Sequence, residues 1–568
     1  MVTLRGFSNM FTEQLFLTDW RDLWGDTLLD TAPGSVYTKP EIVELILDLA
    51  GYDPQRSSLI DHPLLEPSCG DGAFVSAIVR RLILSIIRTE GSVNWDHAKL
   101  ESAIRAVDID SRAVDNARKL IVKTLMEAGC EERRANSLAM CWASQGDFLL
   151  SHDADRFDFV VGNPPYVRLE DVPKSVLAEY RKRYSTLTDR ADIYIAFFER
   201  GLRMLTSNGV LAFICANRFA KNQYGVELRK EISRSFHLRH YINLEHTQPF
   251  EKKVSAYPAI IVLDKQRGNP TLAGTLNELS EATLDNIRRQ TSGLPVKSKV
   301  LEVFKTWYPD GAPWISTARK SMSYLEELRR YPVLEQSGES TTIGIGVATG
   351  ADDIFIRYGK DDAVEADRQL PLILASDISP EALRWSGRYL LNPYANGEAL
   401  RLVTSHDAPG LLAYFHKHEL RLKARHTARN NPAQWYKTID RVYPLLMNRE
   451  KLVIPDIQSG GVVGYDSGDY YPHHNVYWIT SKEWDLRVLQ AILRSSYVTA
   501  QISAFSVQMR GGSLRYQAQS LRKIRIPKAN SIDATLRKAM AEVASSRDIT
   551  QIDVLAEHAF GISRKHIP

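Results

Sequence analysis

From Pro40 to about Lys265, short apolar runs alternate with amphipathic stretches of helical period, and few topologies accommodate that rhythm. Apolar runs buried on both faces suit parallel strands, and parallel strands need crossovers long enough to hold a helix. The region is therefore expected to form an α/β domain with a mostly parallel sheet and helices on both faces. Strands are predicted at 63–66, 104–108, 140–148, 157–161, 210–216, 240–244 and 258–263, and helices at 41–49, 73–87, 112–125, 193–205 and 226–234. Residues 264–274, with Gly268, Pro270 and Gly274 among polar neighbours, read as a linker closing the domain.

Several of these strands end in residues that carry chemistry. Leu64-Leu65-Glu66-Pro67-Ser68-Cys69-Gly70-Asp71-Gly72-Ala73 is an apolar strand entering a glycine turn that opens a helix. Gly70 and Gly72 permit a tight turn and let a ligand approach the peptide plane, as in nucleotide-binding α/β folds. The full dinucleotide pattern is absent, and Glu66 places a carboxylate where a pyrophosphate is repelled and an ammonium attracted. A nucleoside bearing a cationic amino acid fits better than a dinucleotide; an ordinary strand-to-helix turn is the plain alternative. Asp108, ending the next strand, can accept from ribose hydroxyls, whereas Asp110 is placed to cap the following helix. In Gly146-Asp147-Phe148 a carboxylate can accept from an adenine amine and a ring can flank the purine, although each also reads as a surface acid beside a core aromatic.

The most specific motif is the strand Asp158-Phe159-Val160-Val161-Gly162 running directly into Asn163-Pro164-Pro165-Tyr166. Consecutive prolines fix two φ angles near about −65° and remove two N–H donors, so the loop presents acceptors in a rigid frame. The Asn163 side-chain oxygen and the Pro164 carbonyl can both accept from one NH₂ group. An exocyclic amine has its lone pair delocalised into its ring; two acceptors on its protons favour a tetrahedral nitrogen and localise that pair without a strong base. Tyr166 can stack on the base so held. A turn with a capping Asn is the bland reading, against which stand the three strand-end sites that precede it in order.

In this order the motifs resemble those of AdoMet-dependent DNA adenine-N6 methyltransferases of the gamma class, found in bacterial restriction–modification systems. The resemblance is clear over 34–265 and loose over 341–527. It implies a Rossmann-like AdoMet-dependent methyltransferase sheet with helices on both faces, followed by a mixed or mainly β target-recognition domain. It also implies S-adenosylmethionine (AdoMet) as cofactor. Tyr37, Thr38 and Pro40 then approach its methionine part, Glu66, Ser68 and Gly70 form the donor-binding loop, Asp108 binds the ribose, Asp147 and Phe148 flank the adenine, and Asn163 adjoins the donor. Asn163, Pro164, Pro165 and Tyr166 match the catalytic tetrapeptide. Phe250 resembles the aromatic that sandwiches a flipped base against Tyr166, and Asp192 and Tyr194 resemble a further motif near the donor. Lys39, between Thr38 and Pro40, departs from the family's N-terminal pattern.

An amine inside a duplex is out of reach of a bound donor, so such an enzyme rotates the target nucleotide out and holds it by stacking. Double-stranded DNA is the expected partner. Residues 416–451 carry nine basic against three acidic side chains, with Trp435 and Tyr436 interleaved. Arg425, Arg429 and Arg441 there are candidate phosphate contacts, a solvated helix face being the plain reading. Arg510 and Arg515, in a glycine-containing loop, are candidates to read guanine edges. Two rivals stay open: a methyltransferase for glutamine side chains or RNA exocyclic amines, because the tetrapeptide suits any planar NH₂ group, and a catalytically silent DNA-binding subunit.

At 568 residues the chain exceeds the ~250–300 residues of a single core. The expected divisions are an extension at 1–30, a catalytic domain at 31–270, a helical connector at 271–335, a target-recognition domain at 336–530 and a tail at 531–568. The net charge of +4 spreads unevenly, −3 up to Lys265 and +7 beyond, which favours a polyanion on the C-terminal part. The four cysteines form no C-x-x-C pair, and His473-His474 and His416-x-His418 lack metal-ligand neighbours in the sequence, so neither disulfides nor a metal are expected. No apolar run approaches the ~18 residues of a membrane span and no leader is apparent, so a cytoplasmic protein free of the membrane is expected. No stretch is left for a nuclease, so cleavage is expected to belong to a separate restriction endonuclease.

Overall fold

The computed structural model describes residues 23–24, 36–55, 58–151, 155–188, 191–252, 254, 257–296, 298–395, 401–506 and 513–568. The chain divides into two units, Met1–Arg319 and Lys320–Pro568. In the first, one nine-stranded sheet contains β1 (Leu64–Glu66), β2 (Ile104–Asp108), β3 (Ala143–Gln145), β4 (Phe157–Gly162), β5 (Leu205–Ala216), β6 (His237–Asn243), β7 (Pro258–Asp264), β8 (Thr271–Thr275) and β9 (Glu302–Phe304), in the order β3-β2-β1-β4-β5-β7-β6-β8-β9. The strands from β3 to β5 are parallel. β7 inserts antiparallel between β5 and β6.

This order positions the site. The chain lays down β1, β2 and β3 in one direction, then returns to place β4 on the other side of β1. Where the order reverses, the connections leave in opposite directions and open a crevice beyond the carboxyl ends of β1 and β4, the place where open α/β sheets bind ligands. β4 is central and nearly all apolar, as befits a strand covered on both faces. Its one charge, Asp158, accepts from Thr206 Oγ1 at 2.5 Å and pairs with His62 Nδ1 at 2.6 Å. The helix Pro40–Ala50 opens with proline in its first turn, where no N–H is required, and closes on Gly51 at φ 86°. Its neighbour Ala73–Glu90 packs Phe74, Val75, Ile78, Val79, Leu82 and Ile86 into the core. Arg81 ties the two helices, donating to Glu44, to Asp48 and to the Tyr52 carbonyl.

Several expectations are corrected. The strand predicted at 140–148 is only Ala143–Gln145, because Met140, Cys141 and Trp142 end a helix, Glu132–Trp142. Ala135, Leu138, Ala139 and Trp142 are buried at helical spacing, and the Trp142 indole N–H donates to the Leu100 carbonyl at 2.7 Å. The helix predicted at 193–205 stops at Arg203, and Leu205 already belongs to β5. Residues 264–274 do not close the domain: β8 pairs with β6, β9 pairs with β8, and Leu284 and Ile287 of the helix Glu281–Thr291 join the same core. The connector expected at 271–335 is thus divided: residues 271–319 are part of the first unit, which ends at Arg319 rather than near 270, and residues 320–335 belong to the second. With this boundary the units carry −1 and +5, a weaker asymmetry than −3 and +7.

The second unit is mixed. β10 (Thr342–Ile345), β14 (Lys451–Pro455), β16 (Gly464–Asp466) and β18 (Val476–Thr480) form one four-stranded sheet; β11 (Ile356–Tyr358), β12 (Gln369–Ile373), β13 (Arg388–Leu391) and β17 (Tyr471–Pro472) form another; β15 (Ile457–Gln458) pairs with β19 (Leu514–Arg515). Residues 531–568, expected as a tail, are helical and packed into the second unit. Their helices Ala534–Val543 and Ile549–Phe560 pack against Leu486–Arg494, with Met540, Ala544, Ile552, Ala556 and Phe560 fully buried. The Phe560 ring stacks on Tyr497 with centroids 4.8 Å apart. Among the described residues no helix is long and apolar enough to cross a membrane. Phe560→Ala is expected to destabilise the protein by about 3–5 kcal/mol, read as a lower urea midpoint. An unchanged midpoint would make the C-terminal helices dispensable.

Candidate active site

The turn after β1 is held by Asp108. Gly70 donates its N–H to one Asp108 oxygen at 2.8 Å and Asp110 donates to the other at 2.9 Å, while Cys69 N–H donates to the Val107 carbonyl at 2.9 Å. Gly70 and Gly72 adopt φ of 51° and 95°, a region that favours glycine. At Gly72 a Cβ would sit 3.0 Å from the Ala117 Cα, so the helix Ser111–Glu127 leaves no space for one. At Gly70 the nearest atom to a Cβ would be on the Tyr37 ring at 3.9 Å, which leaves that peptide open to the pocket. Asp110 caps Ser111–Glu127 by accepting from Arg112 N–H, as its position suggested.

The pocket in the crevice is lined by Tyr37, Thr38, Glu66, Ser68, Gly70, Asp108, Asp147, Phe148, Asn163, Pro164 and Pro165, together with Trp24, Asp71, Asp110, Asp171, Tyr180 and Phe197. It contains six carboxylates and no lysine or arginine among its described lining residues. Glu66 is buried, and one of its carboxylate oxygens has no hydrogen-bond partner. Burial first, then the charges of Asp108 and Asp71, hold its carboxyl well above the usual carboxylate range. Burial also raises Asp108, against the pull of the backbone N–H groups it accepts.

Asp147 is already engaged by the protein. One oxygen accepts from the Trp24 indole at 2.9 Å and from the Tyr180 hydroxyl at 2.6 Å, and the other from Leu149 and Leu150 N–H. Trp24 and Tyr180 were invisible as site residues because they lie 123 and 33 positions from Asp147. Trp24 also falls inside the supposed extension at 1–30, so that segment contributes to the catalytic unit. Phe148 packs on Phe197 at 5.2 Å with the Arg200 guanidinium 5.0 Å from its ring centre.

Asn163 leaves β4 with its NH₂ donating to the Val36 carbonyl at 2.8 Å and to Thr38 Oγ1 at 3.2 Å. Its side-chain oxygen is buried with no partner. Ser68 Oγ donates to the Asn163 carbonyl at 3.1 Å and steadies the loop. A β-bridge pairs Thr38 with Phe250, flanked by Lys39 N–H to the Pro249 carbonyl and Glu251 N–H to the Tyr37 carbonyl, both 3.0 Å. The Tyr166 and Phe250 rings meet edge to face, 6.1 Å apart at 70°. The structure thus brings these two expected residues together, in direct contact with each other.

Residues 80–250 match the family described as Eco57I restriction-modification methylase. The chain is 40% identical over 537 residues to the type II methyltransferase M.PaeR7I of Pseudomonas aeruginosa, covering 94% of this chain and 92% of that one. To M.XhoI of Xanthomonas vasicola it is 39% identical over 522 residues, covering 91% and 94%. The chain belongs to the type II methyltransferases. The solved structure of the type IIL restriction-modification enzyme MmeI in complex with DNA shares its fold, with a TM-score of 0.61 at 14% identity, covering 92% of this chain and 74% of that one.

The cofactor of this type II methyltransferase is AdoMet, and the pocket suits it. The unpartnered Glu66 oxygen and the surrounding carboxylates attract a sulfonium and an ammonium, the open peptide at Gly70 admits close approach, and Phe148 offers an aromatic wall.

Other expected site residues stand elsewhere. Pro40 opens its helix and is not among the pocket's lining residues. Asp192 accepts from the Tyr224 hydroxyl, which also meets Tyr194 OH, and faces a separate cleft with Arg168, Arg181 and Arg218. Arg425 donates to the carbonyls of Leu422, Thr349, Trp435 and Lys437, so it braces its own unit rather than offering a free guanidinium. Arg429 and Arg441 are exposed. Arg515 pairs with Asp456 at 2.7 Å, and Arg510 lies outside the described residues.

Unfolded, Glu66 ionises at the ordinary carboxylate pH; folded, it ionises only at higher pH. Between the two the folded chain keeps a proton the unfolded chain has lost, so this group's contribution to stability falls as pH rises across that window. Without cofactor, Glu66→Gln is expected to melt above the parent at neutral pH in differential scanning fluorimetry while binding AdoMet more weakly by calorimetry. A variant that melts lower and binds AdoMet as before would contradict this account of the carboxylate.

Proposed function

We propose that the protein transfers a methyl group to N6 of an adenine rotated out of double-stranded DNA, as the modification enzyme of a restriction–modification system. The observation that carries this reading is the buried, partnerless Asn163 oxygen beside a rigid Pro-Pro turn at the end of β4. AdoMet supplies an electrophilic methyl group on a sulfonium. Asn163 Oδ1 and the Pro164 carbonyl accept the two N–H protons of the adenine amine and hold its lone pair toward the pocket. Their acceptors suffice because an amine gripped in this way needs orientation more than a strong base.

Tyr166 and Phe250 flank the extruded base once their edge-to-face contact opens. Ser68 and Thr38 act as positioning residues, the first on the loop carbonyl and the second on the Asn163 NH₂. Support for a long polyanion comes from the second unit, which carries +5 and exposes Arg429 and Arg441.

Purified protein is incubated with radiolabelled AdoMet and plasmid DNA, tRNA or a protein extract. Label is expected in the DNA, and label confined to tRNA or protein would overturn the reading. Asn163→Ala is expected to lower the transfer rate about 10²–10³-fold, the loss typical of one oriented electrostatic partner, with AdoMet binding kept. Loss of AdoMet binding in that variant would mean the residue serves the donor instead.

A further inference from the structure

In the second unit β17 ends at Pro472 and delivers His473 and His474 beside the segment that precedes the short helix Asp352–Phe355. The two segments run parallel: Val347 N–H donates to the Pro472 carbonyl and His474 N–H to the Val347 carbonyl, both at 3.0 Å. This places His473 Nε2 3.1 Å from Asp352 Oδ2 and 3.0 Å from His474 Nδ1, with the three ligand atoms all within 4.8 Å of one another. His473-His474 had no metal-ligand neighbour in the sequence; the missing partner, Asp352, is 121 positions away.

The surrounding hydrogen bonds determine what this trio can hold. His473 Nδ1 lies 2.9 Å from Asn475 Oδ1, an acceptor; with the imidazole proton on Nδ1, Nε2 presents a lone pair. The Thr349 hydroxyl donates to the other Asp352 oxygen and turns Oδ2 toward the histidines. A proton on His474 Nδ1 can satisfy His473 Nε2, but the Asp352 carboxylate then still faces a lone pair. In this tautomer a positive centre among the three atoms balances the arrangement, either a second proton on His473 or a metal ion.

We propose that Asp352, His473 and His474 bind a divalent transition-metal ion of the zinc class. Bonds of about 2.0–2.1 Å in a tetrahedron put ligand atoms about 3.3 Å apart, close to the two separations made by His473, with the third pair within 4.8 Å. Two imidazoles and one carboxylate are ligands that zinc accepts, and each of His473 and Asp352 has the outer hydrogen bond that orients a metal ligand. His473 is buried while Asp352 and His474 are exposed, so the fourth position opens to solvent.

The ion clamps the start of the β17–β18 turn to the loop at 347–352. That loop also exchanges backbone and carboxylate hydrogen bonds with Asp440, next to the exposed Arg441, and accepts from Arg425 through the Thr349 carbonyl. The site therefore braces a basic stretch of the unit, and it stands or falls independently of the methyl-transfer reading.

The test uses the full-length protein stripped with a chelator, desalted, and titrated with Co²⁺ or Zn²⁺. About one ion per chain is expected to survive a second desalting by elemental analysis, with a visible cobalt band and a higher melting temperature after zinc is restored. Asp352→Asn and His474→Ala alter exposed positions and are expected to keep the parent's circular dichroism while losing the ion. Asn475→Ala, which removes only the outer hydrogen bond, is expected to weaken binding roughly tenfold or more. Failure of the stripped protein to retain an ion, or uptake unchanged in both ligand variants, would overturn the proposal.

Discussion

The Asn163 amide can sit in only one orientation. Its NH₂ faces the Val36 carbonyl and the Thr38 hydroxyl, both of which can accept, so its oxygen faces the opposite way into a buried space where the protein offers it nothing. A buried acceptor without a partner costs about 1–3 kcal/mol. The fold tolerates that because the surrounding structure over-determines the loop: β4 delivers it, two prolines stiffen it, Ser68 holds its carbonyl, and the 36–38 segment that orients the amide is itself paired to the loop carrying Phe250. Remove the bridge between Thr38 and Phe250 and the amide loses its reference. The orientation of this amide thus depends on a contact between segments more than 200 positions apart in the chain.

The same economy governs the donor side of the crevice. Asp108 closes the glycine turn with both carboxylate oxygens, and Asp147 is held by an indole, a phenol and two backbone N–H groups. These carboxylates are therefore fixed charges as much as ligands. Glu66 differs, with an oxygen left over and no cation among the described lining residues to neutralise it. A pocket so composed is poorly satisfied when alone and well satisfied by a cationic ligand, which links the preference for AdoMet to the raised Glu66 carboxyl by a single cause, burial of like charges.

What the sequence made legible was local. Glu66, Gly70, Asp108 and Asn163 stand at strand ends, where an apolar run stops and a turn residue begins, and strand ends in a doubly wound sheet converge without further information. The β-strands read best where they were continuous and apolar, as in β4 and β7. Long-range or weakly patterned features were hidden. Trp24 reaches Asp147 only in the fold, and Tyr180 sits on a helix with just two buried residues. Polar Thr271 and Thr275 concealed β8 inside an apparent linker, and Met140–Trp142, the last residues of a helix, run directly into Ala143 with no turn residue between them to mark the change to a strand. Arg425 shows the limit of reading charge from composition, since its guanidinium serves backbone carbonyls that no pattern announces.

The central claim is that the loop after β4 grips the exocyclic amine of adenine. It is tested most directly by the identity of the methylated atom. Plasmid DNA methylated in vitro, digested to nucleosides and resolved by liquid chromatography and mass spectrometry is predicted to contain N6-methyldeoxyadenosine as the new product. Formation of 5-methyldeoxycytidine instead, methylated at a carbon that has no amine protons for Asn163 and Pro164 to hold, would contradict the account.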